Sequence, residues 1–164
     1  MPSPTRRGGI SLPNAIFLFV ILAALTTVLV IRGAGNTGDT AASEVIFANA
    51  STYAEAQSTA SAEGKLVFVL ATADWCPPCR SLRSGTLADP AVQAELQKVA
   101  VPYKLDVTDR DLPPNDAQLA ASLGVSSIPA LFVIDENNTI LASTVGDMSA
   151  SQFKSWLSAA EARR

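Results

Sequence analysis

Cys76 and Cys79 are the only cysteines in this 164-residue chain, and they fall in one run, Ala73-Asp74-Trp75-Cys76-Pro77-Pro78-Cys79-Arg80. Two thiols at this spacing can close a disulfide within one helical turn and open it again, which is the chemistry of thiol–disulfide exchange. A C-x-x-C pair can also be half of a zinc site. The other half would need two further cysteines or histidines, and the chain has no histidine at all. The lack of imidazole also removes Ser-His and Cys-His catalysis. A structural staple is a poor use of the pair, because closing so short a loop constrains the unfolded chain little. Redox chemistry is therefore the expectation, with no metal and no cofactor.

The pair needs a strand to deliver it and a helix to cap. Lys65 to Thr72 is apolar and β-rich throughout, as expected for a central strand buried on both faces. The motif follows at once, and Cys76 to about Ser84 can start a helix with Pro77 in its first position. Upstream, Val45-Ile46-Phe47 reads as a short strand. Thr52-Tyr53-Ala54-Glu55 matches a capping box for a helix to about Glu63, ended by Gly64. Downstream, Asp89-Pro90 opens a helix through Lys98, and Val99 to Val107 is the next strand. Asn115 is read as capping a short helix, Asp116 to Leu123, closed by Gly124. Ile128-Pro129 introduces a strand from Ala130 to Ile134, and Asp135 to Asn138 turns the chain into a return strand, Thr139 to Val145. Ser149 to Gln152 is a second capping box, opening a last helix to about Ala160. The order is β-α-β-α-β-α-β-β-α: parallel pairs first, an antiparallel hairpin last.

The charges divide the chain. Residues 1–32 carry Arg6, Arg7 and Arg32 with no acid, whereas the remainder carries nine basic against fifteen acidic residues, a net −6. An acidic globular part excludes nucleic acid as a partner, which would demand a basic face. Ala15 to Ile31 is seventeen residues without a charge. As a helix it spans about 25 Å, near the lower limit for crossing a bilayer core. The preceding arginines place residues 1–14 in the cytoplasm by the positive-inside rule. The expected organisation is a cytoplasmic N-terminus (1–14), a transmembrane signal anchor (15–31), a flexible linker (32–43) and a globular domain (44–164). A cleaved signal peptide is the competing reading of the same segment, and small residues at Gly33-Ala34-Gly35 and Thr40-Ala41-Ala42 suit it. Both deliver the domain to an oxidising, extracytoplasmic space.

The element order, with W-C-x-x-C after the second strand and Ile-Pro before the hairpin, resembles the thioredoxin fold over about Glu44 to Ala160. Local detail is similar to the C-terminal thioredoxin-like domain of the DsbD family of bacterial membrane disulfide reductases. The matching stretches are Ala73 to Cys76, Asp89 to Gln93, Asp106-Val107-Thr108, and Leu123-Gly124-Val125 leading to Ile128-Pro129. W-C-P-P-C-R also recurs in tryparedoxin-like and TlpA/ResA-like proteins. The resemblance implies an α/β fold with a central mixed sheet flanked by helices. It implies that Cys76 is the nucleophile and Cys79 the resolving thiol. Pro129 would be a cis-proline facing them, with the backbone of Ile128 beside it pairing with substrate. Trp75 would shape the surface around Cys76, while Trp156 and Phe153 fill core.

At the head of a helix, a Cys76 thiolate faces the positive end of the helix dipole, which favours ionisation. Pro77 and Pro78 lack N–H groups, so only the Cys79 N–H remains to reach the sulfur. Two positions depart from the resembled pattern. Leu70 stands where many thioredoxin-like proteins carry a buried acid, and Arg83 stands where the DsbD-type domain carries another. The expectation is that Cys79 loses its proton to water or Asp74, and that Arg83 favours the thiolate. These readings converge on a membrane-tethered thiol:disulfide oxidoreductase of the bacterial inner membrane, its domain in the periplasm, with reduction the favoured direction. Its partners would be cysteine-containing proteins, such as apocytochrome c or secreted proteins, and a membrane electron donor of DsbD type. The alternative is a non-catalytic binding or chaperone module on the same fold.

Overall fold

In the computed structural model the described residues are 44–164. The expected N-terminal segment, anchor and linker (1–14, 15–31, 32–43) lie outside them. Among the described residues no helix is long and apolar enough to cross a membrane.

Strand β1 (Leu66–Thr72) is the axis of the molecule, and every residue in it is buried. It pairs in parallel with β2 (Ala100–Asp106) and antiparallel with β3 (Ala130–Ile134), which turns back into β4 (Ile140–Val145). The sheet order is β2-β1-β3-β4. Because side chains alternate across a strand, β1 feeds two cores. Leu66, Phe68 and Leu70 join Leu82, Leu87, Val92, Leu96, Phe153 and Leu157 on one face. Val67, Val69 and Ala71 join Ala56, Ala60, Val101, Leu105 and Leu119 on the other. The first face is covered by helices α2 (Pro77–Ser84), α3 (Pro90–Val99) and α5 (Ala150–Glu161). The second is covered by α1 (Tyr53–Glu63) and α4 (Pro114–Ser122). A mixed sheet with an antiparallel hairpin at its end, between two helical layers, is the expected α/β architecture.

The helix ends follow their local chemistry. Thr52 and Glu55 form a reciprocal capping box at α1, and Gly64 closes that helix with φ 62°. Asp89 accepts from the N–H groups of Ala91 and Val92 ahead of α3, and Ser149 with Gln152 caps α5. Trp156 is half-buried, meeting Phe68 and Phe153 at ring-centroid distances of 6.4 and 5.9 Å. Phe153 is fully buried, as expected of core.

Two expectations are corrected. Val45-Ile46-Phe47 is not a strand. Residues 44–49 take helical and turn backbone, with Phe47 N donating to Glu44 O and Ala48 N to Val45 O. Ile46 and Phe47 are apolar because they plug the first core, not because they pair with the sheet. Nor does Asn115 cap α4: that helix begins at Pro114, with Pro113 at the N-cap and no side-chain cap. A proline at the first helical position brings the required φ and gives up only an N–H that the helix leaves unused.

Candidate active site

The C-terminal ends of β1 and β2, the head of α2 and the loop before β3 meet at the cysteines. Strand β1 ends at Thr72, paired with Asp106 on β2. Val107 N then donates to Thr72 O at 2.8 Å, which holds the outgoing loops together. Cys76 is the N-cap of α2, in extended conformation, and Pro77 and Pro78 occupy the first turn. Cys76 and Cys79 form a disulfide, with Cα atoms 5.3 Å apart. Cys76 is 3% exposed and Cys79 fully buried, so both sulfurs are buried in the disulfide.

The Cys79 N–H points at the Cys76 sulfur, 3.3 Å away. The two prolines leave this as the one backbone donor of the first turn that reaches it. Across the gap, the Ile128–Pro129 peptide is cis and precedes β3, bringing the Ile128 carbonyl oxygen to 3.8 Å from the Cys76 sulfur. In the disulfide that sulfur carries no hydrogen, so this is a contact; in the thiol form the S–H can donate there. The apolar side chains of Ala73, Val107 and Ile128 pack against the cysteines.

Trp75 is 63% exposed, and its indole N–H donates to Thr108 O at 3.0 Å. Thr108 also accepts from Asp74 N at 2.9 Å through its hydroxyl. The Asp74 carbonyl takes Arg80 Nη1 at 2.8 Å, and its carboxylate takes Arg83 Nη2 at 2.9 Å. The loop that delivers Cys76 is thus held by Thr108 from β2's exit and by two arginines of α2. Sequence reading assigned no role to Thr108 or Arg80. Arg83, expected to act on the thiolate, is buried with its guanidinium turned to carboxylates. Leu70, at the position of the missing acid, is fully buried in the first core. A cleft of about 590 Å³ lies elsewhere, lined by Thr52, Tyr53, Tyr103, Asp116 and Leu119, and includes neither cysteine. Burial, with Asp116 at 2.6 Å, pushes the Tyr103 phenol up, so it stays neutral.

The model of the thioredoxin-like domain family matches residues 53–161. The chain belongs to that family. It is 29% identical over 147 residues to the thiol:disulfide interchange protein DsbD of Actinobacillus pleuropneumoniae, covering 87% of this chain and 25% of that one. It is 33% identical over 110 residues to DsbD of Tatumella citrea, covering 65% of this chain and 18% of the relative. The chain therefore spans about a quarter or less of the length of these relatives. The crystal structure of the reduced C-terminal domain of DsbD from Neisseria meningitidis superposes with a TM-score of 0.55 at 27% identity, covering 63% of this chain and 89% of that domain. The thioredoxin-like architecture expected from the motif order is the one observed. The likeness to the C-terminal domain of DsbD holds by both sequence and structure.

Proposed function

We propose that this protein is a thiol:disulfide oxidoreductase that reduces protein disulfides from an extracytoplasmic position at the bacterial inner membrane, tethered by Ala15 to Ile31. One observation carries the reading: a disulfide pair at the head of α2, its outer sulfur facing both the Cys79 N–H and the Ile128 carbonyl. In the reducing direction the Cys76 thiolate attacks one sulfur of a substrate disulfide. That S–S bond breaks, Cys76 forms a mixed disulfide, and the displaced substrate thiolate takes up a proton. Cys79, losing its own proton, attacks the Cys76 sulfur and releases the second substrate thiol. The chain ends as the Cys76–Cys79 disulfide, and a membrane electron donor of DsbD type returns it to the dithiol. The helix terminus and the Cys79 N–H favour the attacking thiolate. Exposed Trp75, Pro77 and Pro78, with half-buried Ile128 opposite and the buried cis-Pro129 fixing its carbonyl, form the surface against which a cysteine-containing chain such as apocytochrome c or a secreted protein would lie. The DsbD relatives support the activity class, and the arginine-flanked apolar segment supports the tether.

Insulin reduction by the full chain with dithiothreitol tests the activity. Turnover abolished by Cys76→Ser is expected. Failure of the unaltered chain to turn over would leave a binding module instead. In intact cells, Cys79→Ser is expected to accumulate a mixed disulfide with the physiological partner, in the membrane fraction. A captured adduct in the cytoplasmic fraction would refute the placement.

A further inference from the structure

Arg83 lies in the last turn of α2 and is only 6% exposed. A guanidinium taken out of water at such a site needs carboxylate partners. It has two: Nη2 is 2.9 Å from Asp74 Oδ1, and Nη1 is 3.3 Å from Glu44 Oε1. The other Glu44 oxygen takes Lys104 Nζ at 2.8 Å, and Lys104 is 4.0 Å from Asp106. An alternating row of charge, Asp74–Arg83–Glu44–Lys104–Asp106, therefore runs from the loop before Cys76 to strand β2. Arg80, one turn before Arg83, binds the Asp74 carbonyl and balances the row. The apolar residues packed on the cysteines are Ala73, Val107 and Ile128. Asp74 is the acid nearest to Cys76 in the chain, two residues before it, and its carboxylate is held by Arg83.

We propose that Arg83 is a positioning residue for the redox pair: by holding the Asp74 carboxylate in an ion pair, it keeps that negative charge from opposing the Cys76 thiolate. The effect passes through Asp74, because both terminal nitrogens of the guanidinium are already engaged by carboxylates. Without Arg83, an unpaired carboxylate two residues from the thiol disfavours its ionised form, as any neighbouring like charge does. The proposal rests on Cys76 being the attacking thiol.

The test is the pH dependence of Cys76 alkylation by iodoacetamide in full-length protein carrying Cys79→Ser. Adding Arg83→Met should raise the Cys76 pKa by about half a unit or more. Adding Asp74→Asn to that variant should return the pKa to the parent value, and Arg83→Lys, which keeps the charge, should stay near it. An Arg83→Met protein that melts earlier with an unmoved pKa would show that Arg83 only packs, and would overturn the proposal. So would a raised pKa that Asp74→Asn fails to reverse. If Arg83→Met does not fold, Arg83→Gln, which keeps a polar side chain and removes the charge, is read in its place: the pKa should rise and Asp74→Asn should reverse the rise, and an unmoved value refutes the idea. Insulin reduction by the unaltered chain is read separately. A chain that fails that assay yet shows the Arg83-dependent shift loses the proposed activity and keeps this inference.

Discussion

The residues between and beneath the cysteines set how the pair is tuned. Pro77 and Pro78 leave the Cys79 N–H as the backbone donor aimed at the Cys76 sulfur. Replacing Pro78 by histidine returns an N–H to the first turn and adds an imidazole, both of which favour a thiolate. Pro78→His should lower the Cys76 pKa and make the disulfide more oxidising, read from alkylation against pH and from equilibration with glutathione. A shift of about 30 mV corresponds to about 1.4 kcal/mol. Leu70 is the opposite case, a fully buried apolar side chain at the position where the resembled proteins carry an acid. Leu70→Asp should speed the resolution of a mixed disulfide, followed by rapid quench. It should also cost about 3 kcal/mol or more in urea denaturation, because a carboxylate then sits in the core. An unchanged resolution rate would mean that water already serves Cys79 adequately.

The elements that carry these residues are fixed by short-range chemistry that can be read from the sequence. Capping boxes at Thr52 and Ser149, the Asp89-Pro90 start and the Gly64 stop all form as their residue types dictate. Asp89→Ala should cost about 1 kcal/mol in thermal or urea unfolding, since the N–H groups of Ala91 and Val92 lose their acceptor. At the hairpin, Asp135 accepts from the N–H groups of Thr139 and Asn137, and these bonds hold its carboxyl below the usual range. A depressed carboxylate contributes stability that is complete above its unfolded value of about 3.9 and is lost as pH falls through the folded value. Melting temperatures of the parent and Asp135→Asn should therefore converge as pH drops from about 5 to 2. A constant gap would show that the carboxylate charge plays no part. The sequence failed where three apolar residues, Val45 to Phe47, had no period long enough to separate a strand from a buried turn. It also failed where partners are distant in the chain. Nothing local to Thr108 announces the N–H of Asp74, 34 residues away, and nothing at Arg83 announces Glu44, 39 residues away.

At the scale of the whole molecule, the sheet divides two cores, and the one beneath α2 contains the aromatic group Phe68, Phe153 and Trp156. Phe153 packs edge-on against Phe68 at 5.6 Å and is fully buried. Phe153→Ala should cost about 3–5 kcal/mol in urea denaturation, a large share of the roughly 5–15 kcal/mol that holds a typical domain folded. A loss under about 1 kcal/mol would mean that the site collapses around the gap. The redox pair sits where both cores end, on a loop pinned at Asp74 by backbone and side-chain bonds to β2's exit and to α2. A loop held in this way has little conformational entropy left to surrender when another chain meets it. The ordering cost of an encounter then falls on the visitor, and an already extended, loosely structured segment bearing a disulfide has the least ordered structure to dismantle before it docks.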